Sequence, residues 1–116
     1  MFTTTFYSFK GGVGRTLSLM NVAYELVSRG NKVAVIDFDL EAPGMQTFSI
    51  FKGAFAQDNT LKINGVADYI NNYLLSLKAK PEIPKITEYL YQVPDSKFKK
   101  LGEGVGELWF MPASKL

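Results

Sequence analysis

The sequence contains no cysteine. Disulfides, thiolate-held metals and a cysteine nucleophile are thereby excluded. It contains no histidine either, which removes a Ser-His-Asp triad and imidazole-held zinc. Any metal must be held by oxygen, a preference that suits magnesium. No apolar run approaches the roughly 20 residues that cross a bilayer. Residues 1–9 lack the basic start and apolar run of a signal peptide, so by elimination the expected location is cytoplasmic. A strong bias of charge is missing too. Thirteen basic residues stand against 11 acidic ones, and the net charge of +2 does not mark a nucleic-acid or membrane binder.

What remains is ordinary globular material. At 116 residues, 47% hydrophobic and 21% charged, the chain has room for one small domain with a packed core. Residues 2–9 (FTTTFYSF) are rich in β-branched and aromatic types and end at glycines, which predicts a strand. From Arg15 to Arg29, apolar residues at Leu19, Val22, Ala23, Leu26 and Val27 follow helical spacing, and Gly30 stands where a helix C-cap belongs. The run Val33-Ala34-Val35-Ile36 within 32–38 predicts a strand buried on both faces, as in a parallel sheet. Strand, glycine-rich turn, helix and strand make one right-handed βαβ unit.

Beyond it, Pro43-Gly44 breaks the chain, and 39–60 reads as loop with one short helix. Val66, Ile70, Tyr73, Leu74 and Leu77 predict a helix face over 65–80. Ile86, Leu90 and Val93 predict another short helix, ended by Pro94. Residues 95–106 are charged and glycine-containing, hence a surface loop. Glu107 to Met111 (ELWFM) predicts a last strand, closed by Pro112. The aromatic residues Phe51, Phe55, Tyr69, Tyr73, Tyr89 and Tyr91 carry no interleaved basic stripe. Lys97, Lys99 and Lys100 read as a solvated loop rather than a DNA site.

The informative stretch is Lys10-Gly11-Gly12-Val13-Gly14-Arg15-Thr16. Successive backbone N–H groups in such a turn can point at one anion, because glycine tolerates positive φ and leaves the approach clear. The turn feeds into a helix N-terminus, whose free N–H groups and dipole add to the attraction. Lys10 and Arg15 supply positive charge, and the Thr16 hydroxyl can ligate Mg²⁺. The generic phosphate-loop pattern G-x-x-x-x-G-K-[ST] is missed twice: Phe9 replaces its first Gly and Arg15 its Lys. A plain βα turn would need fewer glycines and neither flanking cation. A dinucleotide-binding turn would want Gly or Ala at 12, 14 and 17. Leu17 is too large for its close helix–strand packing, although Asp37 or Asp39 stands about 20 residues on.

Lys10 to Thr16 resembles the deviant Walker A motif of the ParA/MinD ATPases, K-G-G-x-x-K-[ST], in which the leading lysine is the hallmark. Asp37-Phe38-Asp39 resembles that family's D-x-D segment, and Leu108-Trp109-Phe110-Met111-Pro112-Ala113 its later strand ending in P-A. The likeness is dense over 2–44, returns at 107–113 and is thin between. Residues 37–44 (DFDLEAPG) look like a subgroup that also carries Arg at the second basic position.

The resemblance implies an α/β fold: a P-loop NTPase-like, three-layer α/β/α arrangement with a mostly parallel sheet, of which 1–116 form the N-terminal part of one nucleotide-binding domain. It implies ATP and Mg²⁺ as cofactors and a nucleotide-dependent homodimer as the working state. Nucleotide would be held by Gly11, Gly12, Val13, Gly14, Arg15, Thr16 and Leu17. Mg²⁺ would be held by Thr16 and, through water, by Asp37. Lys10 would reach the partner's phosphates across the dimer, Arg15 would hold the β/γ-phosphates, and Asp39 would orient or deprotonate the attacking water. For the two aspartates, turn and N-cap chemistry at a strand end is the plainer possibility.

Phosphoryl transfer is mostly positioning and charge neutralisation. An arginine fork in place of a point-charge lysine therefore implies triphosphate binding with slow turnover. A regulatory module that binds without productive hydrolysis is the alternative, and a bacterial tyrosine kinase is disfavoured by Lys10. In the family, the Walker B strand ending in D-x-P-P follows the strand resembled by 108–111 and sits mid-sheet. The expectation is therefore a truncated chain of marginal stability with exposed sheet edges. The family's DNA- or membrane-reading elements lie further downstream, so the cargo or regulatory partner is left open.

Overall fold

A computed structural model of the chain describes residues 1–7, 14–41, 44–51, 63–78, 82–94 and 106–114. Helix α1 spans Arg15–Ser28 and strand β1 spans Lys32–Ile36. After a 3-10 turn at Met45–Thr47, helix α2 spans Val66–Ser76. A second 3-10 turn at Ile86–Tyr89 leads into strand β2 at Tyr91–Gln92, and strand β3 covers Glu107–Met111. The sheet runs β1-β3-β2. β1 and β3 are parallel, with Val33 beside Leu108 and Val35 beside Phe110, and β2 is antiparallel to β3. The described residues thus form a small α/β unit with a three-stranded mixed sheet.

α1 ends as its sequence dictates. Gly30 takes φ 87°, and the N–H groups of Gly30 and Asn31 return to the Val27 and Leu26 carbonyls at 2.9 and 3.0 Å, closing a Schellman motif. Its inward stripe differs from the expected one. Ala23 and Val27 are buried, with Leu19, Met20 and Tyr24 packed against them, whereas Val22 and Leu26 are 44% and 40% exposed. The helix is rotated so that the 19-23-27 and 20-24 rows meet the sheet. Both readings satisfy a 3.6-residue period, and only contact with β1 and β3 separates them.

The main core joins Ala23 and Val27 to Val35, Leu108 and Phe110, closed by Met45, Phe51 and Val93. Phe51 stacks on Phe110 with ring centroids 4.1 Å apart. β1 was expected to be covered on both faces. Only its Val33–Val35 side packs inward, under α1, while Ala34 and Ile36 are exposed. The opposite face is covered at its C-terminal end, where Met111 packs with Val66 of α2 and Tyr89.

α2 occupies the expected helix but buries less of it. Val66 is buried and Tyr69 packs edge-on against Tyr89, while Ile70, Tyr73, Leu74 and Leu77 are exposed. Its first N–H groups are taken up by the chain after β3: Val66 donates to the Pro112 carbonyl and Ala67 to the Ala113 carbonyl, both at 2.8 Å.

Two expected elements are not found. Residues 1–7 join no ladder and are largely exposed, while 8 and 9 lie outside the described residues. Strand propensity expresses packing on a pleated, half-buried surface, and no described strand offers residues 1–7 one. The helix expected at 86–93 is instead one 3-10 turn followed by extended chain. β3 offers an open ladder edge there, which Tyr91, Gln92 and then Val93, whose N–H meets the Leu108 carbonyl at 2.8 Å, take up. The loop expected over 95–106 lies outside the described residues up to 105. Among the described residues no helix is long and apolar enough to cross a membrane.

Candidate functional site

The turn into α1 and the end of β1 form one corner of the molecule. Gly14, the residue before the helix, takes φ 79°, a left-handed conformation that costs glycine little. A Cβ there would meet nothing within 4 Å, so the requirement is conformational rather than steric. The Gly14 carbonyl accepts the first helical bond, from the Ser18 N–H at 2.9 Å. Among the described residues no side chain caps this end, and no acidic residue sits in its first turn. The positive end of the helix dipole therefore keeps its attraction for an anion.

Arg15, on that first turn, reaches across to the segment after β1. Its Nη2 lies 3.4 Å from Asp39 Oδ2, and the two side chains are 31% and 40% exposed. Asp39 is in turn tied to Asp37, whose Oδ1 accepts the Asp39 N–H at 3.0 Å. Asp37 continues the sheet: its own N–H donates to the Met111 carbonyl at 3.0 Å. The carboxylate thus bends the chain out of β1 through an Asx turn, the plainer role open to it from sequence.

Asp37 is nevertheless poorly satisfied. It is only 4% exposed, and its Oδ2 has no hydrogen-bond partner among the described residues. Burial pushes its carboxyl above the usual aspartate value, and the neighbouring Asp39 carboxylate adds to this. The N–H dipoles of Asp39, Met45 and Gly44 pull the other way. Asp37 is thus a buried acid with one oxygen left over among the described residues, two positions before the carboxylate that meets Arg15.

Of the residues singled out in the sequence, Gly14, Arg15, Thr16 and Leu17 stand at the start of α1, and Asp37 and Asp39 just beyond β1. Lys10, Gly11, Gly12 and Val13 lie outside the described residues. Arg15, Asp37 and Asp39 are brought together. Leu17 is exposed rather than packed on the sheet. The sequence reading did not single out the backbone of Gly44 and Met45 beside the Asp37 carboxylate; the Pro43-Gly44 break after D-x-D was the available signal.

These groups are compatible with a magnesium nucleotide. The Asp37 oxygen that lacks a hydrogen-bond partner among the described residues is a hard donor, and the Thr16 side chain adds a hydroxyl. Among the described residues no group of three or more carboxylates could cage a metal alone. Magnesium is commonly held in that way, by one or two protein oxygens plus water and ligand phosphates.

The model of the AAA domain family matches residues 1–91, and the chain belongs to this family of ParA/MinD-like P-loop ATPase domains. No curated protein and no solved structure matches the chain. Family membership makes it a P-loop ATP-binding domain.

Proposed function

We propose that the chain is the nucleotide-binding part of a ParA/MinD-type switch, which dimerises with Mg-ATP and hydrolyses it slowly. The observation that carries this reading is the corner itself: a left-handed glycine entering a helix that no described side chain caps, with Arg15 on its first turn paired to Asp39 and the buried Asp37 tied to Asp39. Gly11 to Leu17 would cradle the phosphates, Thr16 and Asp37 would hold Mg²⁺, and Arg15 would neutralise the β/γ-phosphates. Lys10 would act on the partner's nucleotide and Asp39 on the attacking water. Bound Mg²⁺ supplies charge neutralisation across the phosphate oxygens. The whole domain would be a three-layer α/β/α sandwich in the cytoplasm, with a cargo protein, DNA or membrane engaged through elements other than these.

A second reading, nucleotide binding without productive hydrolysis, is favoured by the Arg15–Asp39 pair, which engages the acid the water would need. Titration of the full chain with Mg-ATP, for wild type and Lys10→Ala, separates the two when binding, dimerisation and phosphate release are read together. The switch is expected to show ATP-dependent dimers that Lys10→Ala abolishes while binding survives. Dimerisation and hydrolysis intact in Lys10→Ala would refute the cross-subunit role. Binding with no phosphate release in wild type would select the second reading.

A further inference from the structure

We infer that Asp39 is a built-in competitor for the phosphate group that Arg15 is to hold, so that the site carries its own stand-in anion; this rests on the phosphate-binding reading above. Arg15 is engaged by an Asp39 carboxylate oxygen at 3.4 Å. A guanidinium offers carboxylate and phosphate the same planar fork of donors, so the two anions draw on one set of N–H groups.

Asp39 is held in place for this contact. Its N–H is fixed by Asp37 Oδ1 at 3.0 Å, and the Asp37 N–H is fixed by the Met111 carbonyl at 3.0 Å. The backbone that carries this carboxylate is therefore tied to the β1–β3 ladder. The first turn of α1 has no acid of its own, so the charge facing Arg15 arrives from the strand end. The contact is also weak enough to yield. Both side chains keep about a third of their surface in water, where an ion pair contributes little and an incoming polyphosphate with several charged oxygens outbids a single carboxylate. Asp39 thus lowers the affinity of Arg15 for phosphate and yields the guanidinium when phosphate arrives.

The test is a double-mutant cycle on the full chain, with Mg-ATP binding measured by calorimetry for wild type, Asp39→Asn, Arg15→Gln and the double variant, and folding checked by circular dichroism. Asp39→Asn is expected to tighten binding by about two- to five-fold, the range that a part-exposed ion pair permits, and this gain is expected to vanish in the Arg15→Gln background. Binding seen only after Asp39→Asn supports the competition as well. Unchanged or weaker binding in Asp39→Asn overturns it. So does an equal gain with and without Arg15, which would be diffuse charge alone. Those outcomes leave phosphate binding standing, whereas no binding in any of the four proteins sinks both readings together.

Discussion

Replacing Asp37 with asparagine is expected to stabilise the chain at neutral pH while harming the site. The Asp37 Oδ1 would still accept the Asp39 N–H as an amide oxygen, so the turn survives. What disappears is the charge on a residue that is 4% exposed and has one oxygen without a partner among the described residues. A buried, unsatisfied polar group costs about 1–3 kcal/mol, and more when charged. The amide nitrogen inherits the missing partner, so about 1 kcal/mol should be recovered, or roughly 4 °C in Tm for a domain of this size.

The pH dependence gives the sharper check. Burial raises the folded carboxyl above the 3.8 of the exposed group, so over that window the folded chain binds more protons than the unfolded one. Stability from this group is then full below 3.8 and is lost as pH rises through the folded value. The advantage of Asp37→Asn should accordingly be near zero in acid and reach its full size at neutral pH. Urea unfolding in EDTA, from about pH 4 to about pH 8, measures the difference. An advantage that is flat with pH, or a variant less stable at pH 7, would refute the reasoning. Magnesium should strengthen nucleotide binding in wild type and not in the variant, the usual exchange of stability against function.

Two predictions concern the frame around the site. At Gly65 an added Cβ would run into the Pro112 carbonyl and come within 2.7 Å of the Ser114 nitrogen, where the start of α2 docks on the chain after β3. Gly65→Ala is expected to cost about 2–4 kcal/mol, from overpacking and weakened hydrogen bonds, read as a lower urea midpoint; an unchanged midpoint would show that the contact yields freely. Phe110 is fully buried and stacked on Phe51, so Phe110→Ala should cost about 3–5 kcal/mol and leave little or no cooperative transition, whereas a loss below 1 kcal/mol would mean that the core has been misplaced.

The sequence by itself determined what is local. Fifteen-odd residues of helical period (about four turns) closed by Gly30 placed α1 within a residue of its observed end, and an apolar run between charged ends placed β1. A glycine where the backbone must turn left-handed, followed by a cation and a hydroxyl, located the candidate site, because phosphate-binding turns depend on conformations and groups within a few neighbouring residues. The aspartates after β1 were legible for the same reason. Tertiary structure decided the rest. Arg15 and Asp39 stand 24 positions apart, and their pairing exists only because α1 packs back over β1 and β3. The same packing chose the 19-23-27 row of α1 over Val22 and Leu26, and left one face of β1 uncovered. Strand propensity was satisfied at Tyr91–Gln92, where β3 supplied an edge, and unmet over residues 2–7. A strand is completed by its neighbour, and which neighbour arrives is written in contacts between distant parts of the chain, not in the segment itself.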